Sequence, residues 1–389
     1  MAGITLQERR PMANLRSDPT SPWRHVDVVL LAAVALVALL GVLMIYSVTR
    51  GAEAPYDSSF AKKQLMYLML GGLAMAGVMA VDYRRLRDFA MTIYGATVLA
   101  LVLVLVPAFG QRQNGTQGWF QLGAFQLQPS EFAKIGLIVG FAFLANQYSG
   151  EIAGRRLIVL LVLGAAPMGL VMLQPDLGTT LISAFITILL LVAAGASGRH
   201  LALLGLVTLV LVGVVLQSGL LDAYQKDRLT SFVAQDRTTV KLSEASSAEY
   251  NLTQAKIAIG SGGLTGKGLF DGPQTRLRSV PYQHTDFIFT AVGEQFGLVG
   301  AASLLALFSV IVWRVWRSAQ LARDDFGSLI CVGVLAMLVF QIFENVGMTM
   351  GIMPITGIPL PFMSYGGSSA ITYFVAVGLV LNVHMYRFN

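Results

Sequence analysis

Val28-Val-Leu-Leu-Ala-Ala-Val-Ala-Leu-Val-Ala-Leu-Leu-Gly-Val-Leu-Met-Ile-Tyr-Ser-Val-Thr49 runs for 22 residues without a charge. A helix of that length rises about 33 Å, enough to cross the hydrocarbon core of a bilayer. Nine further apolar runs follow, at about 64–81, 89–111, 135–150, 157–175, 177–198, 201–221, 287–313, 326–343 and 366–386. The run at 135–150 is short and is read as starting earlier, at Pro129; the run at 287–313 holds one acid, Glu294. Composition agrees: 55% of the 389 residues are hydrophobic and only 12% charged. Soluble domains carry about twice that share of charge. The expected fold is an all-α integral membrane protein, about ten transmembrane helices with one large extracytoplasmic loop at about 220–284.

Residues 1–26 are polar and rich in proline and arginine, and are expected to form a disordered cytoplasmic tail ahead of a single ten-helix domain at 27–389. Ten spans return both ends to one side. With the N-terminus inside, the inner segments hold fourteen arginines, whereas the short outer loops and helix ends hold five lysines and arginines. That bias places both termini in the cytoplasm. It also accounts for the net charge of +6 without invoking nucleic acid. Cys331 is the only cysteine, so no intramolecular disulfide forms, and the four histidines show no metal-ligand spacing.

Acids near hydrocarbon are costly and need a partner or a task. Glu131 and Lys134 lie three residues apart, on one helix face, where they can pair. Asp176, in Leu173-Gln-Pro-Asp-Leu-Gly178, and Glu131, in Leu127-Gln-Pro-Ser-Glu131, both sit at outer ends of spans and can line one cavity; equally, they are capping acids at proline-broken helix ends. For Glu294 and Glu344, hydrogen bonding between helices is the simpler role. The segment Tyr250–Ile259 can form a short interfacial helix, ended by Gly260-Ser-Gly-Gly263.

Gly260-Ser-Gly-Gly-Leu-Thr-Gly-Lys-Gly268 fails the phosphate-loop pattern, because Ser261 and Gly268 stand where glycine and Ser/Thr belong. It remains either a plain turn or a loop of backbone donors that could hold a diphosphate. Lys267, Arg276 and Arg278 form a cationic group suited to an anionic lipid or a lipid-linked diphosphate. In Pro281-Tyr-Gln-His-Thr-Asp-Phe-Ile-Phe289, Asp286 falls at the start of a span, where the positive helix end favours its ionised form. It can act as a general base or merely cap the helix. The stretch Pro354–Ser369 carries three prolines at an uncharged helix junction, which suggests broken backbone lining a cavity, or an outer hairpin.

Together these segments resemble the SEDS family (shape, elongation, division and sporulation). The matching stretches are Asn114-Gly115 with Trp119, Gln128-Pro-Ser-Glu-Phe-Ala-Lys134, Gln174-Pro-Asp-Leu-Gly-Thr179, and Tyr224-Gln225 with Arg228. They continue with Ala258-Ile-Gly-Ser-Gly-Gly263, Gly266-Lys-Gly268, His284-Thr-Asp-Phe-Ile-Phe289 and Gly357-Ile-Pro-Leu-Pro-Phe-Met-Ser-Tyr-Gly-Gly-Ser-Ser369. Met348–Pro359 and Gly266-Lys-Gly268 are closer to the family's elongation branch than to its division branch. Two positions depart from the pattern: Tyr282 stands where a glutamate is usual, and Gly118 where a basic residue often precedes Trp119.

The resemblance implies an inner-membrane glycosyltransferase that polymerises lipid II on the outer face of the plasma membrane, inverting the configuration of the donor sugar. It implies Asp286 as the catalytic acid–base residue. It also implies substrate contacts from Lys267, Arg276, Arg278 and Arg228, with Glu131, Lys134, Asp176 and Ser364 around the cavity. A class B penicillin-binding protein and other elongation-machinery membrane proteins are the implied partners. A divalent cation (Mg or Mn) can assist such a leaving group, although no ligand cluster in the sequence demands one. The alternatives are a division polymerase of the same family, a lipid II flippase or transporter, and a scaffold for cell-wall enzymes.

Overall fold

The computed structural model describes residues 22–51, 53–113, 116–123, 125–148, 152–217 and 247–388. Residues 1–21 of the expected tail at 1–26, the Asn114-Gly115 pair, the loop at 218–246 and with it Tyr224, Gln225 and Arg228 lie outside the described residues; the end of that tail, Pro22–His25, forms a 3-10 helix.

Ten long helices coincide with the ten apolar runs: α1 (Val28–Thr49), α2 (Ser59–Ala80), α3 (Tyr83–Leu105), α4 (Pro129–Gln147), α5 (Gly154–Met172), α6 (Leu177–Ala193), α7 (Gly198–Gln217), then α10 (Ile288–Gln320), α11 (Asp325–Met350) and α12 (Gly367–Met385). Two shorter ones, α8 (Ser247–Ser261) and α9 (Pro273–Arg276), lie between α7 and α10. Among the described residues, seven helices are long and apolar enough to cross a membrane: α1, α2, α3, α5, α10, α11 and α12. α6 and the first half of α7 are apolar but shorter. The expected interfacial helix at 250–259 is the middle of α8.

Start signals are local. Asp27 caps α1 by accepting from the Leu30 amide at 3.0 Å, and Asp82 caps α3 through the Arg84 amide at 2.9 Å. α3 therefore begins before Arg84, Arg85 and Arg87, six residues ahead of its apolar run. α4 opens with Pro129 at its first turn, where a missing N–H costs nothing.

A three-stranded antiparallel sheet, β1 (Gly110–Gln113), β2 (Thr116–Leu122) and β3 (Phe125–Leu127), connects α3 to α4. The expectation of a purely helical chain omitted it. The sheet lies at the end of the bundle where α4 begins, and α2, α6, α10 and α12 begin at the same end by alternation.

α4, α11 and α12 form the interior, with buried residues on nearly every side, while α3 and α5 leave broad apolar faces outward. Helices approach closely at small residues: a Cβ on Gly333 would lie 2.7 Å from Ile138 of α4, and one on Gly71 would lie 2.8 Å from Phe374 of α12. At the far end, Arg314 of α10 reaches Asp27 at 2.6 Å, closing the bundle with a largely buried ion pair.

Candidate active site

A cavity of about 1240 Å³ opens at the sheet end of the bundle. Among the described residues, four long helices begin on it. Glu131 of α4, Asp176 and Thr179 of α6, Asp286 and Phe287 before α10, and Gly366 to Ser369 at the start of α12 all line its wall. Each helix start carries roughly half a positive charge from its unpaired amides, so the site favours an anion. Lys63 of α2 adds a full charge at the rim. The sheet contributes Thr116, Trp119 and Gln121, and α8 contributes Tyr250 and Asn251.

The acids on this wall are not equivalent. Glu131 is buried and paired with Lys134 at 2.9 Å; the Lys134 side chain is 0% exposed and lies behind the wall, with its ammonium 5.7 Å from the Tyr373 ring. Asp176 is committed to its own helix: it accepts from the Thr179 amide at 2.9 Å and from the Thr179 hydroxyl at 2.8 Å. Both readings offered for Asp176 thus meet, since it caps α6 and faces the cavity. Asp286 is half-buried on a turn whose amides at 285, 286 and 287 all donate to the Tyr282 carbonyl.

The broken backbone at 351–366 lines the cavity through Ile355 to Pro359 and Tyr365, as expected of non-helical chain inside a bundle. Buried α11 side chains hold it. Glu344 accepts from Thr356 at 2.8 Å, and Asn345 donates to the Ile358 carbonyl at 2.8 Å. Ser364 faces inward: it accepts from the Leu360 amide at 2.9 Å and closes a turn, away from the cavity wall. Ser368 does reach the wall, donating to Gln126 and accepting from the Gln128 amide at 2.9 Å, which fastens α12 to the sheet.

The glycine-rich segment is a packing device. The amides of Lys267 and Gly268 donate to the carbonyls of Glu294 and Gln295, both at 3.0 Å, and Leu298 and Val299 donate back to Gly263 and Leu264. These backbone groups are spent on the kink of α10, where Gly297 has φ +64°. Glu294 accepts from the Gln274 and Thr275 amides at 2.6 and 3.0 Å and from the Thr275 hydroxyl at 2.6 Å, and so caps α9. Its expected role in joining helices holds.

The structure does not bring the predicted cations together on the main cavity. Lys267 and Arg276 are exposed and line neither it nor its neighbour. Arg278 lines the neighbouring cavity of about 300 Å³ with Asp57 and His284, and donates to the Thr49 carbonyl at 3.2 Å. Pro281, Tyr282 and His284 border both cavities. Burial, reinforced by the Arg278 charge, lowers the pKa of His284, which keeps its imidazole neutral where a free one begins to charge. Sequence reasoning placed Glu131 and Asp176 at outer helix ends on one cavity but missed Lys63 and the start of α12 there. Pro129, Asp176 and Asp286, each at the head of an apolar run, were the available signal. Among the described residues no three His, Cys, Asp or Glu side chains gather to hold a metal.

The cell cycle protein family that includes FtsW, RodA and SpoVE matches residues 27–389. The chain belongs to that family. Stage V sporulation protein E of Bacillus subtilis is 36% identical, over 96% of this chain and 99% of its own. Peptidoglycan glycosyltransferase MrdB of Escherichia coli K12 is 34% identical, over 93% of this chain and 94% of its own. Among solved structures, a chain reported under the structural coordination of polymerization and crosslinking by a peptidoglycan synthase complex superposes with a TM-score of 0.77. It is 31% identical, and the match covers 94% of this chain and 99% of that one. The multi-pass helical membrane fold is therefore the family's, and SEDS membership agrees with the motifs quoted above.

Proposed function

We propose that this chain is a peptidoglycan glycosyltransferase that polymerises lipid II at the outer face of the plasma membrane during cell elongation. The observation that carries the reading is the placement of Asp286 on an anion-favouring cavity built from helix starts. The names of the relatives support the reaction class, and Met348–Pro359 with Gly266-Lys-Gly268 supports the RodA-like branch over the FtsW-like one.

In this mechanism the Asp286 carboxylate accepts the proton of the acceptor's sugar 4-hydroxyl. The freed oxygen attacks the anomeric carbon of the donor from the face opposite its diphosphate. The new glycosidic bond forms as the carbon–oxygen bond to diphosphate breaks, and α becomes β. The leaving diphosphate takes up negative charge, and the positive ends of α4, α10 and α12, with Lys63, stabilise it. A positioned base of this kind contributes about 10²–10⁴-fold. Glu131, already neutralised by Lys134, lets the floor stay polar without repelling the anion.

Both termini face the cytoplasm in this reading. The partner is a class B penicillin-binding protein that cross-links the new strand, in line with the polymerising and crosslinking complex that the fold matches. The testing experiment is glycan-strand formation by detergent-purified protein given lipid II, with and without that transpeptidase. Strand products support an enzyme. Their absence under both conditions favours a transporter or a scaffold, because a detergent micelle has no compartments to transport between.

A further inference from the structure

Asn345 sits near the end of α11, fully buried, and its side-chain nitrogen donates to two carbonyls. One belongs to Asp286, at 2.7 Å, and the other to Ile358, at 2.8 Å. Asp286 and Ile358 are both on the cavity wall, 72 residues apart in sequence, on segments that are not helical there. An amide NH₂ has two hydrogens, and here each secures one segment. Among the described residues the carbonyl oxygen of Asn345 has no partner and is itself buried, a cost that the two donated bonds must outweigh. Next to it, Glu344 holds Thr356 of the same 354–359 segment. The Tyr365 amide also donates to the His284 carbonyl at 2.9 Å, so the two segments are tied at a second point.

We propose that Asn345 is a positioning residue for Asp286: it ties the backbone that carries the base to the adjacent 354–359 backbone, which lines the same cavity. This rests on the assignment of Asp286 above. The carboxylate must meet one hydroxyl, so the placement of its backbone against the neighbouring lining segment sets the reacting geometry. A displacement of about 1 Å can cost 10²-fold in rate.

Asn345→Leu keeps the bulk and removes both donors. Asn382 supplies a matched comparison: it is equally buried and donates to the Val78 and Val81 carbonyls at 2.7 and 2.5 Å, at the end of α2 on the opposite side of the bundle. For each variant, bound lipid II per protein and turnover per bound substrate are measured together. Asn345→Leu is expected to bind with unchanged affinity within about threefold and to turn over on the order of 10²-fold more slowly per bound substrate. Asn382→Leu is expected to lose stability and bound fraction in proportion, with turnover per bound substrate unchanged. If Asn345→Leu yields no folded protein, Asn345→Ser, whose hydroxyl donates one bond, is read in the same way. Unchanged turnover per bound substrate in the folded Asn345 variant, with Asp286→Asn inactive, overturns the positioning role alone. If Asp286→Asn is fully active, the base assignment falls and the proposal falls with it.

Discussion

Glu131 and Lys134 form a 2.9 Å ion pair in which the lysine is wholly enclosed and the glutamate still borders the cavity. One partner is therefore structural ballast and the other is within reach of substrate. The pair lies on α4, whose residues from Ala133 to Ala142 are buried without a break. Removing one partner of a buried pair leaves an uncompensated charge, at about 3–5 kcal/mol. We predict that Glu131→Gln or Lys134→Met alone lowers the thermal unfolding midpoint strongly, and that the double variant recovers most of the loss. Midpoints of the two singles that simply add in the double would show that the residues act separately.

The exposed cations give a second prediction. Lys267 and Arg276 do not line the cavity, so Lys267→Gln with Arg276→Gln should leave polymerisation within about twofold of wild type; surface substitutions rarely carry stability. Lys63→Gln, at the cavity rim, should raise the lipid II concentration needed for half-maximal rate about tenfold, the scale of one charge-assisted hydrogen bond. A titration of initial rate against lipid II separates the two. Reversed sensitivities would return the diphosphate to the 267–278 loop.

The glycine loop offers a contrast between neighbours. A Cβ on Gly266 would lie 2.1 Å from the Gln295 carbonyl oxygen, on a backbone with φ +85°, whereas Gly260 has open space around its Cα. Gly266→Ala should loosen the loop from α10 and lower the unfolding midpoint, with strain of order 1–3 kcal/mol. Gly260→Ala should be close to neutral. Equal midpoints would mean that the loop does not brace the kink at Gly297.

Orientation is tested by replacing Cys331 with alanine and placing single cysteines at Ser247, beginning α8, and at Ser197, before α7. An impermeant thiol reagent applied to cells with a breached outer barrier should label the first and spare the second. The opposite pattern would put the cavity on the cytoplasmic side.

Much of this architecture was legible because transmembrane helices announce themselves by length and lack of charge. Val28–Thr49 matches its apolar run end to end, while α3 starts early because Asp82 caps it and its arginines extend past the apolar part. The sheet at 110–127 was not legible: its strands are short and glutamine-rich, and the alternation in Phe120-Gln-Leu122 and Phe125-Gln-Leu127 is too brief to mark a strand. The site was half legible. Asp286, Glu131 and Asp176 were recognisable as acids heading apolar runs. The placement of Lys267 and Arg276 was not, since a loop's charges do not say which way it folds, and only the close approach of Gly262 and Gly266 to α10 decides it. The convergence of four helix starts is tertiary and has no local signature.

The most direct test of the account is glycan-strand formation by purified Asp286→Asn given lipid II and the cognate transpeptidase. The substitution keeps shape but removes a group that accepts a proton at neutral pH. Lipid II binding is expected to stay close to wild type while polymerisation falls by about 10²–10⁴-fold. Strand synthesis at the wild-type rate by Asp286→Asn would contradict it.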